Sequence, residues 1–431
     1  MRRWGAIVAA LTVMSPALWA LDGKLFFTLA PNVEDEFAHI MPYRPPLVPT
    51  VGKCVRNQPV TLVLVLKNPA VGKDGKVLVE IESVKTTEPN GKIKELVEPG
   101  KPVTALKGVK KNDRDFSGVM LSNFYLEMIV EDTDPLGKTS IEVKLRDRGD
   151  DSTLELAAAI EAVEKLPGIP EKPMTAEEMS TFITGYYKNP DPAKIPAAFA
   201  AFLKFDEENF GKNRAYDPLM WLCGFAELYK LNPQLRSELA KGGADYSTVH
   251  KKHVALILAE SGARDSDLKD ADPELLKLFG KVRGKSPLSF KTVIHPAQLD
   301  ALWTQFFVTG KVEPIRRLVG ELRKRDDAMP IEEAKKLGRK PTEAEMKRIM
   351  NALILRAADW SLASNAQQHK LVGYYLEAML LRKEYPDPDV AVKLGGMLIK
   401  AGLLEVSEKP GGGRVLKSVI APSGKSTTPQ R

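Results

Sequence analysis

Only two of the 431 residues are cysteine, Cys54 and Cys223, so a disulfide framework is excluded. In an oxidising compartment the two could form one bridge tying the β-half to the helical half, but two unpaired thiols are the favoured reading. Cys223 lies inside the apolar run 219–223, where a small buried thiol is common, and a core of this size needs no covalent staple. Histidine is scarce as well, at five. No GxSxG, HExxH, CxxC, GxxxxGK[ST] or GxGxxG occurs, which removes the sequence signatures of the common hydrolase, zinc-protease, redox and nucleotide-binding sites. Gly411 to Gly413 lack the strand-to-helix setting of a phosphate loop. Beyond the first twenty residues no stretch is long and apolar enough to span a bilayer, and no long basic block is present.

What is present begins with Arg2 and Arg3, an apolar run from Ile7 to Met14, Pro16, and small Ala17 and Ala20. That is the layout of a secretory signal peptide over 1–20, with cleavage expected after Ala20 and a periplasmic or extracellular destination. The net charge of +7 falls to +5 when Arg2 and Arg3 are removed. Export makes nucleic acid a poor partner. The densest basic cluster is Lys335, Lys336, Arg339 and Lys340. It reads as solvated helix ends or as a patch for an anionic glycan or lipid.

The fold class expected is multidomain β plus α. Residues 21–50, with five prolines, read as an extended lead-in in which short strand pieces such as 24–29 pair locally. Strands and turn residues then alternate. Val60 to Lys67 is apolar on both faces, as in a central strand, and Asp74-Gly75 is a turn before the alternating run from Val77. Further turns are expected at Pro89-Asn90-Gly91 and Pro99-Gly100. Two alternating runs between Phe124 and Arg146 flank a turn at Asp134, Pro135 and Gly137. Residues 152–163 carry helix-favouring alanines but also alternate, and they read as the closing strand of a β-sandwich over 51–163. This order of strands and turns resembles an immunoglobulin-like module, a likeness of architecture that implies no activity.

A proline-rich linker is expected over 164–174, and the capping box Thr175-Ala-Glu-Glu178 opens a helical domain over 175–402. Leu299, Leu302, Trp303, Phe306 and Phe307 share one helix face. Ile315, Leu318, Val319 and Leu322 repeat the pattern after Thr309-Gly310-Lys311, so the two form a helical hairpin. The longest stripe holds Met346, Ile349, Met350, Leu353 and Ile354. Such hairpins resemble an α-solenoid of the tetratricopeptide or HEAT type. The Asn/Asp-Pro entries at 189, 217, 232 and 272 keep no fixed period, which favours an irregular bundle as much. A β-hairpin is expected over 403–420 and a disordered tail over 421–431.

Few residues suggest chemistry. His250 and His253 would share a helix face, yet two histidines make half a metal site and Lys251 and Lys252 repel a cation, so both read as exposed. His295, before Pro296, suits a helix start. The segment from Asp359 to Asn365, followed by His369, is the most function-like. Asp359 and His369 form an acid/base pair lining a cleft, or the segment is a loop capped by Ser364 or Asn365. Tyr186-Tyr187 and Tyr374-Tyr375 read as core residues before sugar platforms. No cofactor and no metal are expected. The leading functional expectation is a non-enzymatic exported scaffold whose helical half docks a protein partner in the cell envelope. The alternative is an envelope-associated enzyme or ligand binder using Asp359 and His369.

Overall fold

The computed structural model describes residues 20–98, 100–109, 118–164, 173–210, 212, 217–323, 328–408 and 414–419. Residues 1–19 of the expected signal peptide, most of the expected linker, the Gly411 to Gly413 run and the expected C-terminal tail lie outside the described residues. The chain is mixed β and α, strands first and helices after.

The first half forms two sheets around one core. β1 (Asp22–Thr28), β3 (Val60–Lys67) and β7 (Met120–Met128) make an antiparallel sheet in the order β1-β3-β7. The second sheet runs β2-β9-β8-β4, from β2 (Lys53–Val55), β4 (Lys76–Thr87), β8 (Gly137–Asp147) and β9 (Thr153–Val163). Long β4 takes β6 (Val103–Val109) along one end and β5 (Ile93–Glu95) along the other. Alternation sends Leu25, Phe27, Leu62, Leu64 and Leu66 of one sheet against Val77, Val79, Ile81, Ile141, Val143 and Leu145 of the other. β3 is central and buried on both faces, because Val63 and Val65 enter a second, smaller cluster on its far side.

The two runs flanking the Pro135 turn are strands as expected, and one expectation is corrected, that residues 24–29 pair within the lead-in. The two runs do not pair with each other. β7 bonds to β3 and β8 to β4 and β9, so the Pro135 turn carries the chain from one sheet to the other. β1 is a full strand of the first sheet, pairing with β3 from Asp22↔Lys67 to Thr28↔Thr61, rather than a short piece pairing within an extended lead-in. Residues 152–163 are a strand: β9 runs antiparallel to β8 over ten registered pairs. Cys54 and Cys223 are buried and unpaired.

The helical half holds α2 (Ala176–Gly185), α3 (Ile195–Asn209), α4 (Leu219–Leu231), α5 (Arg236–Lys241), α6 (Thr248–Glu260), α7 (Pro273–Val282), α8 (Ala297–Thr309), α9 (Val312–Gly320), α10 (Ile331–Lys335), α11 (Glu343–Gln368), α12 (Lys370–Leu381) and α13 (Pro388–Lys400). The Thr175 capping box is formed in full, and Asp272 and Asp387 cap α7 and α13 ahead of prolines. α8 and α9 make the expected hairpin, closed by Gly310 in the left-handed region. The closest partner of α8 elsewhere is α4, which approaches because Gly224 has no Cβ to strike Thr304. β10 (Leu404–Glu408) and β11 (Arg414–Ser418) form the terminal antiparallel hairpin.

Residues 32–44 tie the halves together. They leave β1, form α1 (Val33–His39) and dock on α9 and α12. Asn32 Nδ2 donates to the Gly310 carbonyl, the Val312 N–H donates to Asp35, and the Arg382 guanidinium donates to the Ala38 and Ile40 carbonyls. Arg44 clamps the fully buried Glu377 through two bonds of 2.8 and 2.9 Å, and also reaches the Leu403 and Val419 carbonyls. A buried bidentate pair of this kind tolerates the loss of neither partner. Of the prolines that suggested an extended lead-in, Pro31 precedes this strap, Pro42 lies within it, and Pro45, Pro46 and Pro49 follow it.

Candidate functional site

His369 and Asp359 do not meet. Asp359 lies within α11 and His369 just beyond its end, ten residues on and so about 15 Å along the axis. The segment between them is helix throughout rather than a capped loop. Asn365 Nδ2 donates back to the Ser361 carbonyl, while the capping box of α11 is built on Thr342 and Glu345. His369 packs on Phe307, ring centroids 4.8 Å apart, and its Nδ1 shares a hydrogen bond of 3.1 Å with the Tyr187 hydroxyl. Burial, and then the charge of Lys188, push its pKa down to about 4. It is a neutral core imidazole at physiological pH, without the carboxylate an acid/base pair requires.

The structure assembles a different titratable cluster. Asp206 lies on the face of α3 that carries Phe199 and Phe202, and it is fully buried. His250 and His253, one turn apart on α6, reach it with Nε2 at 3.5 Å and Nδ1 at 3.3 Å from Oδ2. The expectation that both histidines are exposed fails. His253 is buried between Phe202 and Phe210, and His250 is largely covered. Burial lowers the His253 pKa, Asp206 opposes that shift, and His250 and Lys252 add to it. Lys251 turns away to pair with Asp272 and Glu274 of α7, each at 3.0 Å. Asp206 was the member sequence reasoning missed. Its signal was a lone carboxylate at the next face position after Phe199 and Phe202. Among the described residues no group of three or more His, Cys, Asp or Glu is arranged to hold a metal ion.

His295 serves its helix start, Nδ1 accepting from the Ala297 N–H. Of the basic patch, Arg339 forks onto both oxygens of Glu345 at 2.7 and 2.8 Å, and that contact holds the Glu345 pKa down at about 2. Lys335 pairs with Glu332. Lys336 and Lys340 are exposed, with no carboxylate partner among the described residues. An open groove of about 1070 Å³ runs along the start of α2, lined by Thr175, Glu178, Phe182, Asp191 and Lys194. Its Glu178 is committed to the capping box and its Asp191 to Lys194, so it gathers none of the candidate residues.

No family model matches the chain, and no curated protein does. Among solved structures the chain is similar to a family 123 glycoside hydrolase from Clostridium perfringens. The identity is 8% and the TM-score 0.17, over 43% of this chain and 36% of that one. The chain thus matches about a third of that enzyme's length, and a likeness at this level carries no argument about fold or activity. Among the described residues, no helix is long and apolar enough to cross a membrane.

Proposed function

We propose that the protein is an exported, non-enzymatic scaffold of the cell envelope. In this reading the β-half is an immunoglobulin-like spacer and the helical half an irregular bundle that docks a protein partner. The observation that carries the reading is a continuous apolar patch where α13 meets the terminal hairpin. Val392, Gly395 and Ile399 lie on one face of α13, and Val392 is 75% exposed. Leu416 reaches over Gly395 and pairs across the hairpin with Val406, and Ile399, Leu416 and Val406 are all exposed. Contiguous large side chains of this kind mark interaction surfaces.

The strap supports the reading too, since Arg44 and Glu377 join spacer and platform by a buried charge pair instead of a loose hinge. The test uses the full exported chain, because a fragment starting at 174 would leave Glu377 without Arg44. A photo-crosslinker at position 392 should trap one envelope protein in cells, and Leu416→Asp should abolish that product. A crosslinking pattern that is empty, or unchanged by Leu416→Asp, would remove the scaffold reading.

A further inference from the structure

The long helix α11 is apolar on two opposite sides, and only one is used. Ile354, Ala358, Leu362 and Ala366 face the core. Met346, Ile349, Leu353 and Trp360 fall on the other side, within roughly 60° of one another and along about 21 Å of helix. Trp360 is 72% exposed and Met346 is exposed, while Ile349 and Leu353 are half-buried. At the N-terminal end of this stripe the chain is basic. Residues 331–356 contain seven Lys and Arg against four Glu, and two of those Glu are already paired, Glu332 with Lys335 and Glu345 with Arg339. Lys336, Lys340, Lys347, Arg348 and Arg356 are exposed and have no carboxylate partner among the described residues. The Arg339 fork, together with the Met329 N–H donating to the Arg348 carbonyl, pins the basic segment beside the first turns of α11.

We propose that this face of α11, with the basic segment at its end, rests on an anionic lipid surface. A helix lying in a bilayer interface needs an apolar stripe of limited depth, an aromatic that suits the headgroup level, and cations flanking it. Here Met346 to Leu353 supply the stripe, Trp360 the aromatic, and Lys336, Lys340 and Arg356 the cations, while Lys347 and Arg348 fall more than about 100° around the helix from the middle of the stripe and add only to the general positive charge. Charge complementarity sets the partner. The surplus is positive and unpaired, and it adjoins the aliphatic side chains of Met346, Ile349 and Leu353, which a hydrated glycan or a nucleic-acid backbone would leave wet and lipid acyl chains would bury. The inference goes beyond the scaffold reading and is independent of it, since that reading concerns α13 and the hairpin.

The test is flotation of the full chain with vesicles of equal parts phosphatidylglycerol and phosphatidylcholine, against vesicles of phosphatidylcholine alone. Binding should require phosphatidylglycerol and fall steeply with added salt. Trp360→Ser should weaken it about tenfold, as expected for withdrawing one large apolar side chain from the interface. Lys336→Glu with Lys340→Glu, in an exposed segment, should weaken it at least as much while the circular dichroism spectrum stays unchanged. Absence of wild-type binding, or binding that neither variant reduces, overturns the proposal. So does a wild-type dimer in sedimentation velocity that ignores the vesicles and dissociates in Trp360→Ser, which would make this face a contact between copies.

Discussion

Glu36 offers the sharpest test of how the two halves are held together. It sits on the strap helix α1, 1% exposed, accepting from Asn32 Nδ2 at 2.9 Å and from the Leu47 N–H, with no cation against it. Burial raises its pKa from 4.5 to about 7 in spite of those two bonds. Because the folded value lies above the unfolded one, the folded state holds the proton more tightly. The stabilisation from protonation is complete below about pH 4.5 and is lost as pH rises through 7. At about 1.4 kcal/mol per unit, the shift corresponds to about 3 kcal/mol between those limits. Glu36→Gln removes the titration. The carbonyl of the new amide still accepts from Leu47, while its NH2 replaces the oxygen that accepted from Asn32 Nδ2, a loss that does not vary with pH and so offsets the two curves by a constant. Urea denaturation of both proteins across pH 4.5 to 8 should therefore show the Glu36→Gln variant gaining on the wild type by up to about 3 kcal/mol as pH rises. A difference between the two proteins that does not change with pH would refute the assignment of Glu36 as a buried, uncompensated carboxyl.

Arg44→Ala should cost about 3–5 kcal/mol, because it leaves the Glu377 carboxylate buried and unpaired; the measure is the urea midpoint together with proteolysis of the strap. His369→Phe should cost about 1–3 kcal/mol, because it leaves the buried Tyr187 hydroxyl without its partner, and Asp359→Asn should leave the His369 imidazole resonances and their titration unchanged. The His253 ring should titrate below the ordinary histidine range, and Asp206→Asn should lower it further by removing the one charge that favours the imidazolium, as read by NMR. Both thiols, pushed up to about 11 for Cys54 and about 12 for Cys223 by burial, should ignore Ellman's reagent at pH 8 until the chain is unfolded.

Local information in the chain settled the local structure. An apolar run bounded by prolines over 60–67 and alternation over 77–85 specify strands, while 154–163, with its alanines, was legible as a strand only from its place at the end of the β-half. The Thr175 capping box and the Asp-Pro entries specify helix starts through single hydrogen bonds a few residues long. The stripe from Met346 to Ile354 was legible as an amphipathic face, but its period could not show that Ile354 turns into the core while Met346 stays exposed.

Tertiary structure decided what depends on residues far apart. Whether the two runs around Pro135 pair with each other or enter separate sheets is a matter of which strands lie beside them. That is a choice between partners of nearly equal local propensity. Residues 32–44 carry too little apolar periodicity to announce a docking role, because their binding comes from Asn32, Asp35, Arg44 and backbone carbonyls meeting α9, α12 and their ends 277 to 344 residues away. The site residues divide in the same way. His250 and His253 were visible as a pair, but Asp206 belongs to another helix, and only packing shows that three polar side chains share one buried position. Asp359 and His369 looked like partners because they are near in sequence. A straight helix of ten residues holds them apart.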